Sequence, residues 1–188
     1  MNNLFYTTIL AMVVLTSCSN SSNNKSKANH MDSAKQQNPV FSTTDTQKVT
    51  IGNEEWRRIL PKEVYDIARE KGTERAFTGK YNDHKEIGAY HCAACGNPLF
   101  RSNGKFESSC GWPSFFEPIT KGSIIYAPDN AYGMKRTEVM CGRCKSHLGH
   151  VFEDGPPPTG LRYCINSVIL DFEKAKDAAE IFNQQKSD

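Results

Sequence analysis

Two Cys-x-x-Cys pairs, "HCAACGN" and "MCGRCKS", constrain this 188-residue chain more than any other feature. They place Cys92, Cys95, Cys141 and Cys144 in two tight turns. Zinc takes four soft thiolates in a tetrahedron, and each turn delivers two of them from one loop. Gly96 and Gly142 each follow a cysteine, where metal and backbone approach closely. With all four positions filled there is no open one for water, so such a metal is structural. Two disulfides are the competing use of the same residues in an oxidising compartment. A redox Cys-x-x-Cys normally opens a helix in a βαβ setting, which is absent around either pair.

The pairs lie within a stretch that reads as β. From Gly88 onward the apolar runs "IGAYHC", "PLF", "KFES", "SIIYA", "MKRTEVMC", "HVFE" and "LRYCINSVIL" are punctuated by Gly, Pro and Asn. "SNG" at 102–104 reads as a hairpin turn, and "DGPPPTG" forbids regular structure before the last run. The strongly helical region is "IGNEEWRRILPKEVYDIAREKGTE", with Pro61 suited to a first helical position. Val64, Ile67 and Ala68 share one helical face there, and Gly72 is the expected stop. "DFEKAKDAAEIFNQQ" reads as a short terminal helix. The expected class is mainly β, with a helical lead-in.

The first residues are not read as fold. "MNNLFYTTILAMVVLTSCSN" has no charged side chain and an apolar centre too short to span a bilayer, which marks residues 1–17 as a signal peptide. Its Leu-Thr-Ser-Cys ending is similar to a bacterial lipobox, making Cys18 a lipidation site; an ordinary leader with an incidental cysteine is the alternative. Residues 18–48 are rich in Ser, Asn, Lys and Gln and read as a lipid-bearing flexible tether. The expected location is the bacterial envelope, anchored to a membrane on its periplasmic side or at the surface. One domain is expected over 49–182, with a tail at 183–188. The 23 basic and 21 acidic residues form no basic stripe, so nucleic acid is not an expected partner; a monomer is.

Two cysteines remain. In an extended "LRYCINS", Arg162, Cys164 and Asn166 face one way, while Leu161, Tyr163 and Ile165 face the other. A guanidinium beside a thiol favours the nucleophilic thiolate. Cys110, in "SSCGWPSFF", lies on a loop beside Trp112, and the two thiols suit either a nucleophile and its resolver or a structural disulfide. His147 and His150 in "HLGHVFEDG" fall on opposite faces of an ideal strand, unless a kink at Gly149 gathers both into one cleft as proton donors. His30, His84 and His91 carry no such signal.

Together "CGWPSF", the two knuckles, "HLGHVFEDGPPPTGLRYCINS" and "EEWRRILPKEVYDIARE…GTERAFTG" resemble the B-type methionine sulfoxide reductases, over about Glu54 to Leu170. That resemblance implies two antiparallel sheets with short N-terminal helices and a structural zinc on the four knuckle cysteines. It implies Cys164 as nucleophile, Cys110 as resolving cysteine, and Trp112 against the substrate methyl group; a methyl needs an aromatic wall, to which Phe152 nearby is expected to add. It also implies that His147 and His150 line the site, that Asn166 positions substrate and water, and that Arg162 lies near the thiolate. The implied substrate is methionine-R-sulfoxide in oxidised proteins, and the implied partner a thioredoxin-like or other dithiol reductant. Three rival readings stand beside it: a zinc-ribbon adaptor, which leaves the Arg–Cys–Asn face and the Cys110 loop unexplained; a cysteine hydrolase, which predicts an acyl-enzyme and no oxidised thiol; and a general disulfide oxidoreductase, which lacks its βαβ setting.

Overall fold

The structure, a computed structural model, describes residues 38–176. The expected leader, Cys18, the first part of the tether and the region beyond 176 lie outside the described residues. No helix among the described residues is long and apolar enough to cross a membrane.

Two short helices lead in, α1 (Asn53–Ile59) and α2 (Lys62–Ala68). Pro61 sits at the N-cap of α2 with φ −52°, one residue ahead of the expected position, where its missing N–H costs no hydrogen bond. Trp56 and Ile59 on α1, and Val64, Ile67 and Ala68 on α2, are buried. The chain reverses at Lys71, at φ 56°, and the Gly72 amide donates back to the Asp66 carbonyl.

Nine strands follow: β1 (Gly88–Cys92), β2 (Pro98–Arg101), β3 (Lys105–Phe106), β4 (Ser114–Phe115), β5 (Ile124–Asp129), β6 (Arg136–Cys141), β7 (His147–Phe152), β8 (Arg162–Ile165) and β9 (Leu170–Lys174). They form a three-stranded sheet ordered β2-β1-β9 and a six-stranded sheet ordered β3-β4-β8-β7-β6-β5. Every pairing is antiparallel. The mainly β class and the two antiparallel sheets are as expected.

Aromatic rings join the sheets. Phe100 of β2 stacks on Phe115 of β4 at 4.3 Å, and Tyr90 of β1 meets the same ring edge-on at 5.1 Å. Tyr163 of β8 lies 5.8 Å from Phe100. Such pairs contribute about 0.5–1.5 kcal/mol each beyond their buried area. The back of β4 and β8 is thereby committed to the core, which leaves the other face free for chemistry.

Several local expectations change. Ser102–Gly104 is a 3₁₀ turn that passes the chain from the small sheet to the large one, because β2 pairs with β1 and β3 with β4. The apolar run after Cys164 breaks at a second 3₁₀ turn, Ser167–Ile169, and resumes as β9. "DFEK" therefore belongs to a strand paired with β1 rather than to a helix. Residues 38–48, read from composition as tether, lie against both cysteine turns. Polar residues hold them there through backbone groups, a form of order that apolar periodicity does not register.

Candidate active site and metal centre

The four knuckle cysteines are buried, and all four sulfurs lie within 4.8 Å of one another. The cross-knuckle distances are 3.8 Å for Cys92–Cys144 and 3.7 Å for Cys95–Cys141. A tetrahedron with zinc–sulfur bonds of about 2.3 Å has edges of about 3.8 Å, whereas a disulfide requires about 2 Å. The donor set and its spacing fit zinc, and the two-disulfide alternative does not fit. Cys92 ends β1 of the small sheet and Cys141 ends β6 of the large one, so a metal here ties the sheets together.

Residues 38–49 strap this centre. The Ser42 amide donates to the Cys95 carbonyl, and the Asn38 side chain to the Ala94 carbonyl. Arg143, 4 % exposed, donates to the carbonyls of Gln47, Val40 and Cys95 and to the Asp45 carboxylate. Lys48 reaches the Gly142 carbonyl at 2.6 Å. The strap passes so close to the first knuckle that a Cβ on Gly96 would stand 2.5 Å from the Ser42 carbonyl oxygen.

The second constellation follows from strand register. Glu138 on β6 faces His150 on β7; His150 faces Cys164 on β8; Cys164 faces Ser114 on β4. Directly opposed residues share a face, so these side chains form one row across the large sheet. Along β8 the alternation holds, with Arg162 and Cys164 half-exposed and Tyr163 and Ile165 buried. The register slips between Val139 and Met140, so that His147, not Leu148, stands opposite Met140. This bulge brings His147 to the face of His150, with ring centroids 5.5 Å apart.

Each histidine has an acidic partner that the sequence reading did not identify. His147 Nδ1 lies 2.8 Å from Glu138, which is 1 % exposed and also binds Lys71 at 2.7 Å. Burial holds His147 below the usual imidazole range against the pull of Glu138. Burial alone would raise the Glu138 carboxyl, but Lys71 and His147 bring it below its usual range. A neutral His147 beside an ionised Glu138 results. His150 Nε2 lies 2.7 Å from Asp129, which also binds Arg136 at 2.6 Å. The Ala131 amide, His150 and Arg136 hold the Asp129 carboxyl far below its usual range.

Cys110 and Cys164 do come together, with sulfurs 3.6 Å apart and neither in a disulfide. Their charges are not distributed as expected. Burial, then the adjacent Cys110, pushes the Cys164 thiol up to about 12, outweighing Arg162, which acts in the expected direction. For Cys110 burial also opposes ionisation, yet hydrogen bonds from Ser108 and Ser114, with the Trp112 backbone, bring it down to about 7. Two sulfurs this close disfavour two thiolates at once, and Cys110 is the one whose ionisation the site eases.

Arg162 is locked by Asp154 through contacts of 2.8 and 2.9 Å, and its guanidinium lies 4.5 Å over the Phe152 ring. Trp112 donates its indole N–H to the Glu74 carbonyl at 3.1 Å. Asn166 is 4 % exposed and bonded at both ends of its amide, accepting from the Glu74 amide and donating to the Leu148 carbonyl. It thus braces the wall of the site. Glu74 completes the brace by accepting the amides of Ser167 and Val168. Signals for the missed residues were faint. Glu138 lies inside the strand-like "RTEVMC", and a carboxylate inside a strand implies a partner, but its identity depends on pairing between strands. An open groove of about 990 Å³ between Arg101, Phe116, Tyr126 and Tyr163 includes none of these residues.

Comparison with known proteins agrees with this geometry. The family model described as the SelR domain matches residues 60–174. A protein named peptide methionine sulfoxide reductase MsrB from Pseudomonas putida (strain W619) is 60% identical over 133 residues, covering 71% of this chain and 99% of its own. Proteins of the same name from Pseudomonas fluorescens and Thiobacillus denitrificans are 61% and 60% identical over 118 residues. Each of those two alignments covers 63% of this chain, and they cover 91% and 89% of the relatives.

Proposed function

Because this chain belongs to the SelR domain family of peptide methionine sulfoxide reductases, we propose that it reduces methionine-R-sulfoxide, free or in proteins, to methionine. The observation that carries the reading is the 3.6 Å contact between Cys110 and Cys164 on a face shared with His150. Two free thiols in contact, one on a strand and one on a loop, suit a cycle that makes and breaks a disulfide. They do not suit a hydrolase, which needs one thiol and a base.

Cys164 attacks the sulfoxide sulfur, and its proton passes to the Cys110 thiolate beside it. His150, opposite Cys164 and held by the ionised Asp129, protonates the sulfoxide oxygen. The oxygen moves to Cys164, giving methionine and a Cys164 sulfenic acid. Cys110 then displaces the hydroxyl, releasing water and forming the Cys110–Cys164 disulfide. A thioredoxin-like or other external dithiol reduces it by exchange. Trp112 and Phe152 supply the apolar wall for the methyl group, and Arg162, fixed by Asp154, sets the field at the attacking sulfur. Cys92, Cys95, Cys141 and Cys144 would hold a zinc, whose part would be structural because they fill all four positions.

The test uses a peptide with racemic methionine sulfoxide and dithiothreitol, following each epimer by chromatography. Loss of the R epimer alone, abolished in Cys164→Ser with zinc retained, is the expected result. Cys110→Ser should release about one equivalent of methionine and then stall with a thioredoxin-type donor. Normal turnover of that variant with such a donor would remove Cys110 from the cycle.

The chain is proposed to work in the bacterial envelope, lipid-anchored through Cys18 after removal of the leader, on the strength of the Leu15-Thr-Ser-Cys18 ending. Labelled palmitate should enter the wild-type chain in cells and not Cys18→Ser; equal labelling of both would sink the anchor.

A further inference from the structure

The loop before Cys110 and the strand after it each place a serine hydroxyl at the Cys110 sulfur. Ser108 Oγ lies 2.9 Å from it and Ser114 Oγ 3.5 Å, and the two hydroxyls are 2.5 Å from each other. Ser114 is 1 % exposed and opposes Cys164 in the β4–β8 register, so the large sheet fixes its position. Ser108 is half-buried on the loop. The chemistry described above assigns neither residue a role.

Each hydroxyl has one proton. With Cys110 protonated, its S–H can donate to the Trp112 carbonyl at 3.6 Å, and Ser114 can donate to the same oxygen at 3.2 Å. With Cys110 ionised, one arrangement uses both hydroxyls in series: Ser114 donates to Ser108, and Ser108 donates to the thiolate. Hydrogen bonds in such a chain polarise one another, and a bond to an ionised acceptor is roughly twice as strong as a neutral one. The array therefore favours the ionised sulfur.

We propose that Ser108 and Ser114 form a two-hydroxyl relay that activates and positions Cys110 as the resolving thiol, acting through Cys110 and not on the substrate. The inference rests on the reading of Cys110 as resolver. In the step concerned, Cys110 gives up the proton it took from Cys164, its thiolate forms a bond to the Cys164 sulfenic sulfur, and the sulfur–oxygen bond breaks. Cys110 is oxidised, the sulfenic sulfur is reduced, and the departing hydroxide takes up a proton and leaves as water. The relay holds charge on the attacking sulfur and keeps it within 3.6 Å of its target. The lowered position of the Cys110 thiol, about 7, agrees with this arrangement.

The test has two arms. In full-length Cys164→Ser, alkylation of Cys110 by iodoacetamide is followed against pH, with and without Ser108→Ala. A relay predicts an inflection near 7 in the first protein that moves up by a unit or more in the second. For a one-unit rise the alkylation rate at pH 7 should fall about twofold, and more for a larger rise, because a thiol of higher pKa is intrinsically more nucleophilic and offsets part of the lost ionisation. In the enzyme with both thiols, a single turnover without reductant should give a full equivalent of methionine in Ser108→Ala but slower loss of free thiols. Ser108→Thr should restore both the inflection and the rate. An unmoved inflection overturns the relay while leaving the first-turnover methionine, and the enzyme reading, intact. Failure to form methionine overturns the enzyme reading instead, and the alkylation arm still reports on the hydroxyls.

Discussion

At the scale of single residues the site depends on a few atoms that admit no addition. Gly149 lies beside the bulge that turns His147 inward, and a Cβ there would overlap the Cys164 carbonyl oxygen and stand 3.1 Å from the Ile165 Cα. Since the obstacle is backbone, β8 must move away from β7 for any side chain to fit. Gly149→Ala should lower stability by about 1–3 kcal/mol, as overpacking does. It should also displace Cys164 from His150, so activity should fall further than stability alone explains. Urea midpoints and sulfoxide turnover below the transition check this; an unchanged midpoint would show that the two strands have slack. The cysteines and histidines were legible at this scale because their chemistry is rare. Glu138, Asp129 and Asp154 were not, because a carboxylate becomes informative only once its neighbour is known.

At the scale of elements, the strand pattern came through in the apolar runs, and missed β4, which is short and flanked by turn formers. Ser114–Phe115 has two residues and lies in a Gly- and Pro-bearing loop, yet it pairs directly with the strand that carries Cys164. The strap over the metal centre was hidden for a related reason. Asn38, Ser42, Asp45 and Lys48 bury little apolar surface, and their order comes from the Ala94, Cys95 and Gly142 carbonyls and from Arg143. In the full chain, Asn38→Ala with Asp45→Asn should speed zinc release to a chelator by about tenfold, the effect of losing one to two hydrogen bonds' worth of closure. Sulfoxide turnover of the loaded protein should be little changed, since the strap lies over the knuckles and contributes nothing to the Cys164 row. An unaltered release rate would mean the strap does not gate the metal.

At the scale of the whole molecule, two sheets pack through Tyr90, Phe100, Phe115 and Tyr163, and the knuckles join them a second time. The Cys92 knuckle follows a strand of the small sheet, and the Cys141 knuckle joins β6 to β7 of the large one. One metal there would hold the sheet ends whose register sets the Glu138–His150–Cys164–Ser114 row. The sequence by itself determined the zinc ligands, the mainly β class, the Cys164 face and the family, since each rests on local spacing or on motifs contiguous in the chain. Only the tertiary structure decided the partners of the two histidines, the side of the sheet on which His147 lies, and which of the two thiols is brought down and which pushed up. Those depend on register between strands distant in sequence and on the balance of burial against hydrogen bonding, quantities that do not exist until the sheets have formed.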